Sequence, residues 1–426
     1  MNFEEYLHSL ELFGIKLGLA QTSELMSRAG YCTEKNKKPY FIHLAGSNGK
    51  GSTGAIIQKA LTAAGMKTGF YTSPHLAAFN ERIRINGEMI SDADLDFEFQ
   101  QLMPHAEEMK KDGKFVTYFE FTTILALGYF IHNDVDFVVW ETGMGGRFDS
   151  TNIIQPEVSV ITNIALEHCQ YLGDTLEKIA FEKGGIIKEN TPVFCGMMPP
   201  EALEVLKKIA ADKNAPFKTV QEAFKLAGCS EGKQILQTLA GEIKLSLAGE
   251  MQRRNYTLAY NVLEYLGSRF DLDMGKILAS AEHISWPGRF QFLADGSVLD
   301  GGHNPDGTAA LAKCLQEFCP NEKFCFVFAS FEDKDTEECL RNLLPLAQEF
   351  CFMPLAYSGR PSCSGERLKE LTAKIDPDFN KVKTFGSLKE FLNGSYADGA
   401  RKVFCGSLYL LGEYFQYTNL EMLKKI

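Results

Sequence analysis

The tract Phe41-Ile42-His43-Leu44-Ala45 is short, mostly apolar and stopped by glycine. It runs into Gly46-Ser47-Asn48-Gly49-Lys50-Gly51-Ser52 and then a helical pattern through Ala55, Ile56, Ala60 and Leu61. Strand, glycine-rich turn and helix in that order predict a βα unit, the element from which parallel sheets are built. Glycines let backbone N–H groups curl around phosphate oxygens, and the positive end of the helix adds to the attraction. Lys50 would neutralise the outer phosphates, and Ser52 would approach the phosphate–metal region. The GxxxxGK[ST] spacing fails, because position 44 is Leu and Gly51 separates Lys50 from Ser52. An ordinary glycine-rich turn is the bland alternative; the strand–helix context favours a nucleoside triphosphate.

The rest of the chain extends this pattern. Strands are expected at 68–71, 135–140, 158–161 and 192–195, with a small hairpin at 82–90 and a helix over 119–131 that is apolar nearly all round. Within that helix Glu120 is the polar exception. Residues 217–248 suggest antiparallel hairpins around Gly232 and Gly241-Glu242, followed by a helix over 252–266. From about 296 the alternation starts afresh, with strands at 297–300, 324–328, 349–353, 382–385 and 403–406 and helices between. Alternating apolar strands and helices imply a mostly parallel sheet covered on both faces. The expected class is α/β, in two domains divided at Trp286-Pro287-Gly288. Residues 1–288 carry the phosphate-loop ATP-binding domain, and 289–426 a smaller Rossmann-like domain.

Composition narrows the partners. With 44 Lys+Arg and 55 Asp+Glu the net charge is 44 − 55 = −11, and no dense basic run is present, which argues against a nucleic-acid partner. Thirty-two Phe and 45% hydrophobic residues can fill a large core. No uncharged apolar stretch approaches the ~20 residues of a membrane span. The acids at Glu4 and Glu5 lie where a secretory signal would be basic, so a cytoplasmic protein is expected. The 11 Cys are odd in number and scattered without a CxxC, which reads as plain thiols rather than a structural metal or disulfide set.

Ser47–Ser52, Ser73, Glu141 and His168 each follow an expected strand. In open α/β sheets that carboxyl edge binds ligands, because loops and helix N-termini converge there. A hydroxyl, a carboxylate and an imidazole near a triphosphate suit a divalent ion, most simply Mg²⁺, although imidazole is an unusual ligand for so hard a cation. Taken singly, Glu141 could be a solvated strand-end acid and His168 a packing or capping residue. Lys183 by its periodicity is an exposed helix lysine.

The phosphate loop resembles that of the Mur ligase family, in its folylpolyglutamate synthase/dihydrofolate synthase branch. The resemblance continues in order through Tyr71-Thr72-Ser73-Pro74-His75-Leu76, Phe79-Asn80-Glu81-Arg82-Ile83, Thr117-Tyr118-Phe119-Glu120-Phe121 and Glu141-Thr142-Gly143-Met144-Gly145-Gly146-Arg147. It includes Asp149-Ser150-Thr151-Asn152, Ala165-Leu166-Glu167-His168, Lys183-Gly184-Gly185-Ile186-Ile187-Lys188, Trp286-Pro287-Gly288-Arg289 and Asp300-Gly301-Gly302-His303-Asn304-Pro305. Phe13-Gly14-Ile15-Lys16-Leu17-Gly18-Leu19 and Gly406-Ser407-Leu408-Tyr409-Leu410 flank the series. One glycine motif is weak; this many in order are specific.

The resemblance implies a nucleotide held by Gly46, Ser47, Asn48, Gly49, Lys50, Gly51, Ser52, Asn255, Arg289 and Asp300. It implies two Mg²⁺ ions near Ser73, Glu141, His168 and Lys183, the lysine being carbamylated. Lys50, His168, Lys183, Asp300 and His303 become the catalytic set. Two departures stand out: Met251 replaces a ring before Gln252, and Gly302 stands where many relatives have Ala. Asp333-Lys334-Asp335 fits a family stretch that lacks its usual glycine.

Phosphate loop, metals and a second domain by themselves permit a kinase, a hydrolase or a ligase. The resemblance selects the ligase, in which ATP activates a carboxylate as an acyl phosphate and L-glutamate displaces the phosphate. The acceptor is dihydropteroate, a reduced folate through its γ-carboxylate, or both. Tyr118–Phe121 with Gly145-Gly146-Arg147 resembles members that use both. Polyglutamylation alone, another Mur-type carboxylate substrate and a nucleotide-binding regulator are the alternatives. A monomer is expected. His75 and Phe79 are candidates to stack on the pterin, with Asn80 hydrogen-bonding; Phe79 and Phe119 could equally be core.

Overall fold

The structure, a computed structural model, describes residues 2–11, 18–230, 232–238, 241–356, 359–394, 399–424 and 426. Phe13–Leu17 of the N-terminal family-like stretch lie outside the described residues. The chain forms two compact units. The first comprises Met1–His75, Phe79–Phe224 and Arg254–Ala281; the second comprises Leu76–Ala78, Lys225–Arg253 and Glu282–Ile426. Residues 225–253 thus group with the second unit although they precede Trp286-Pro287-Gly288 in the chain.

The first unit holds an eight-stranded sheet. From one edge its strands are Glu88–Met89, Ile83–Ile85, Thr68–Tyr71, Phe137–Glu141, Tyr40–Ala45, Pro156–Ile161, Val193–Cys195 and Phe217–Thr219. The two edge strands of the hairpin pair antiparallel; the others pair in parallel. Tyr40–Ala45 is central, and later strands are added on both of its sides, which makes its carboxyl end a topological switch point. Its inner residues Phe41, Ile42, Leu44 and Ala45 are buried, as a strand covered on both faces requires.

Helix Tyr118–His132 lies almost wholly inside the core. Its start is fixed by a capping box: Thr117 Oγ accepts from Glu120 N, and the Glu120 carboxylate accepts from Thr117 N at 2.7 Å. Thr22 Oγ donates to the other Glu120 oxygen at 3.2 Å. The polar exception of this segment is therefore a cap.

The second unit holds a six-stranded sheet in the order Gln291–Phe292, Val298–Leu299, Arg401–Cys405, Phe324–Phe328, Ala347–Phe352 and Val382–Thr384, parallel except for the first strand. It also holds a three-stranded antiparallel sheet of Lys225–Ser230, Lys233–Thr238 and Gly241–Leu245. The hairpins expected over 217–248 correspond to these strands with one correction. Phe217–Thr219 pairs in parallel with Val193–Cys195 at the edge of the large sheet. Local alternation reports a strand but not its partner. Among the described residues no helix is long and apolar enough to cross a membrane.

Candidate active site

The loop after the central strand turns on two glycines. Gly46 (φ 150°) could not carry a side chain, since a Cβ would lie 1.8 Å from Thr162 Oγ. Gly49 adopts φ 85° at the N-cap of helix Lys50–Ala63, and a Cβ there would lie 2.4 Å from Asn255 Oδ1. The left-handed turn thus suits glycine on conformational and steric grounds. A glycine N-cap has no side chain to occupy the first-turn N–H groups, the feature that makes a helix N-terminus an anion site. Asn255, expected at the nucleotide, packs directly against this turn.

Not every loop N–H faces the helix end. Ser47 N donates to Asn163 O at 3.0 Å, and Asn48 N to Asn163 Oδ1 at 2.7 Å. Ser47 Oγ accepts from Ala165 N at 3.0 Å and donates to Ala165 O at 3.1 Å. Thr162 Oγ donates to Asn48 O at 2.7 Å. Ser47 and Asn48 therefore stitch the phosphate loop to the loop after Pro156–Ile161. Lys50, Gly51 and Ser52 form the first helical turn, with Ser52 buried.

Two lysines converge on one carbonyl. Lys50 Nζ donates to Gly46 O at 2.9 Å, and Lys183 Nζ donates to the same oxygen at 3.0 Å. Lys183, on helix Leu176–Gly184, is 1% exposed rather than solvated, so the periodicity-based alternative is corrected by its burial. Its other partner is Glu167 Oε1 at 2.7 Å. Burial, then the Lys50 charge, push the Lys183 amine down to about 8. Burial would raise the Glu167 carboxyl, but Lys183 and Lys50 outweigh it and hold it below its ordinary value. Glu167 was not among the expected site residues. Its position next to His168 in a strand-end loop was the available signal.

Glu141 ends strand Phe137–Glu141, is buried, and accepts a hydrogen bond from Thr72 Oγ. Ser73 follows Thr72, so this hydroxyl–carboxylate pair joins the ends of two neighbouring strands. A buried carboxylate, serine hydroxyls and phosphate oxygens make the oxygen-rich donor set that Mg²⁺ takes, with one or two carboxylates and retained water. These residues fit that ion. His168 precedes the short helix Cys169–Leu172 in the left-handed region (φ 46°) and is exposed.

Around this edge several motif residues are spent on structure. Asp149 accepts from Met144 N (2.8 Å), Thr151 N (3.0 Å) and Thr151 Oγ (2.5 Å), which orders the Gly143–Gly146 turn. Asn80 donates to Ile90 O and Asp92 Oδ1. Arg82 Nε donates to His75 Nδ1 at 2.9 Å, and burial together with Arg82 pushes the imidazole down to about 3. Phe79 packs edge-on against Phe3 at 4.9 Å, and Phe119 lies 6.1 Å from the Tyr71 ring; both pack against the core. Arg147 forms a two-pronged ion pair with Glu182 (2.6 and 3.2 Å), and its guanidinium lies over the Phe148 and Phe181 rings at 4.3 and 5.0 Å.

The second unit carries its own strand-end cluster. Asp300 follows Val298–Leu299 and accepts from Phe290 N at 2.9 Å and Gly302 N at 2.8 Å. Burial raises its carboxyl despite the Arg289 charge and these two bonds. His303 Nδ1 lies 2.9 Å from Gly301 O. A carbonyl only accepts, so Nδ1 carries the proton and Nε2 is left as the basic nitrogen. Burial, with the charges of Lys334, Arg289 and Arg360, lowers the imidazole, which stays neutral near pH 7. Asp335, beside Lys334, caps helix Thr336–Leu343.

Comparison with known proteins matches the chain over both units. Residues 44–263 match the Mur ligase middle domain, and residues 288–407 the Mur ligase glutamate ligase domain. A dihydrofolate synthase/folylpolyglutamate synthase of Bacillus subtilis is 33% identical over 426 residues, spanning 96% of each chain. Escherichia coli FolC in complex with DHPP and ADP superimposes with a TM-score of 0.84 at 26% identity, covering 99% of this chain and 98% of that one. Mycobacterium tuberculosis folylpolyglutamate synthase complexed with ADP gives 0.84 at 29% identity, covering 98% and 97%.

Proposed function

This chain belongs to the Mur ligase family, and on that premise we propose that it is an ATP-dependent amide ligase adding L-glutamate to dihydropteroate and to the γ-carboxylate of reduced folates. The observation that carries the proposal is the Lys50 ammonium at Gly46 O beside a helix N-terminus whose glycine N-cap supplies no side chain. That is a site for a polyphosphate, in a chain matched along nearly its whole length by a bifunctional synthase.

In the reaction an oxygen of the acceptor carboxylate attacks the γ-phosphorus of ATP, and the bond to the β-phosphate oxygen breaks to release ADP. The glutamate amine then attacks the acyl carbon, phosphate leaves and the amide forms. Lys50 and the first-turn N–H groups of Lys50–Ala63 hold the phosphates and balance the charge on the transferring group. Ser73, Glu141, His168 and a carbamylated Lys183 would hold magnesium, which when bound polarises the phosphoryl oxygens as a Lewis acid. Carbamylation needs the free amine, and burial favours that form of Lys183. The amine adds to carbon dioxide, and a proton is released. Arg289 and Asp300 would serve the nucleotide, and the basic Nε2 of neutral His303 would take a proton from the glutamate ammonium, leaving the free amine to attack. The enzyme acts as a cytoplasmic monomer.

A second reading, polyglutamylation only, draws on Arg147, which Glu182 already engages. Phosphate release is measured with ATP, glutamate and each acceptor in turn. Turnover with both acceptors is expected. Turnover with reduced folates alone would select the second reading, and none with either would remove both.

A further inference from the structure

Three metal-ligating side chains outside the site described above meet on one face of the six-stranded sheet. Cys325 lies on strand Phe324–Phe328, and Glu349 and Cys351 lie on its parallel neighbour Ala347–Phe352. The register pairs Cys325 with Glu349 and Val327 with Cys351. Residues two apart on a strand share a face, so all three project to the same side. Their donor atoms lie within 4.8 Å of one another, the one such trio of His, Cys, Asp or Glu found among the described residues.

The sulfurs are 3.7 Å apart. Two thiolates about 2.3 Å from a tetrahedral zinc ion define an edge of about 3.8 Å, so the pair already has the spacing of metal ligands. A disulfide suits them less well. A strand spacing of about 4.8 Å and a two-residue rise of about 6.6 Å put these diagonal Cα atoms about 8 Å apart, beyond the usual disulfide span of about 4.4–6.8 Å.

The surroundings suit an ion. Both cysteines are buried in a cluster with Val327, Met353 and Phe404, while the Glu349 side chain is 15% exposed and opens the group towards solvent. Lys383, paired with Cys351 in the next strand, places Nζ 2.9 Å from Glu349 Oε2. Two thiolates and a carboxylate around a dication leave one negative charge, which this ammonium offsets.

We propose that Cys325, Glu349 and Cys351 form a binding site for a thiophilic divalent cation of the zinc type, with water as the fourth ligand. On binding, two S–H bonds give way to two sulfur–metal bonds, and the protons pass to solvent. The scattered cysteines of the sequence, expected to be plain thiols, would then include one pair assembled by strand register.

The full-length protein, kept reduced and stripped of metal with a chelator, is titrated with Co²⁺ and then Zn²⁺. A thiolate-to-cobalt charge-transfer band that saturates at one thiolate-bound Co²⁺ per chain is expected, and Zn²⁺ abolishes it. Glu349→Gln, at the rim and compatible with folding, should weaken Co²⁺ binding more than about tenfold. Cys325→Ala combined with Cys351→Ala should remove the band, and Cys169→Ala should leave it intact. A wild-type protein without the band overturns the proposal. So does a band that persists in the double variant, one lost in Cys169→Ala, or unchanged Co²⁺ affinity in Glu349→Gln.

Discussion

The two strand-end clusters solve opposite electrostatic problems. In the first unit, Lys50 and Lys183 share the Gly46 carbonyl, with Glu167 as their local counter-charge. Burial and the Lys50 charge both disfavour the charged form of Lys183. On the function proposed above, Lys50 with the helix N-terminus receives the polyphosphate, while Lys183 is left as the amine that carbamylation requires. In the second unit, Asp300 is a part-buried carboxyl held by two backbone N–H groups, and His303 is an imidazole held neutral. On that same proposed function, one cluster stabilises a ligand's charge, and the other fixes a loop and keeps a base unprotonated. A parallel-sheet edge supplies loops and helix ends in both cases; the side chains decide which task each performs.

The sharpest test of that contrast is Lys50→Ala. Losing a cation from the transferring phosphoryl group should lower turnover by about 10³-fold or more, with the circular dichroism spectrum retained. Near-normal turnover by the folded variant would break the charge-stabilising description of the first cluster.

His303→Gln probes the other side. Removing a base should cost about 10²-fold in kcat while ADP affinity, measured by calorimetry, stays within a few-fold of wild type. A large loss of ADP affinity with kcat preserved would make His303 a nucleotide ligand instead.

Lys183 offers a pH test in protein freed of carbon dioxide, where its amine is unmodified. Its folded value of about 8 lies below its ordinary 10.5, so between the two the unfolded chain binds more protons and stability rises with pH. Denaturant unfolding of wild type and Lys183→Met should therefore diverge in wild type's favour by about 2 kcal/mol from about pH 8 to about 10. A pH-independent difference would show that Lys183 is not held down by burial and Lys50.

Arg147→Ala should have the smallest effect, about tenfold in kcat/KM for dihydropteroate and less for a reduced folate. Equal losses would assign Arg147 to its ion pair with Glu182 alone, a structural role within the first unit.

Much of the fold was legible because strand and helix periodicities are local. The strands at 68–71 and 324–328 fall where expected. Helices Asp92–Lys111, Pro200–Asp212, Gly365–Ile375 and Leu408–Thr418 were not assigned from sequence. The first of them contains Pro104 and many charges and has a weak apolar stripe, so tertiary packing rather than pattern sustains it. The phosphate loop was legible because glycines and a lysine between a strand and a helix have few other uses. Glu167 was not, because a carboxylate in a loop has many; only the approach of Lys183 from a different helix gives it a partner. Glu120, conspicuous in an apolar helix, proved to be a cap.

By itself the sequence determined the α/β alternation, the phosphate loop and the order of the strand-end motifs, since each depends on residues near one another in the chain. Tertiary structure decided the rest. It placed Lys183 on the Gly46 carbonyl, 137 positions away, attached Phe217–Thr219 to the large sheet, and set Cys325 beside Glu349 and Cys351. Those outcomes depend on strand order and register, which are fixed by how whole faces bury against one another. No local window of sequence contains that information.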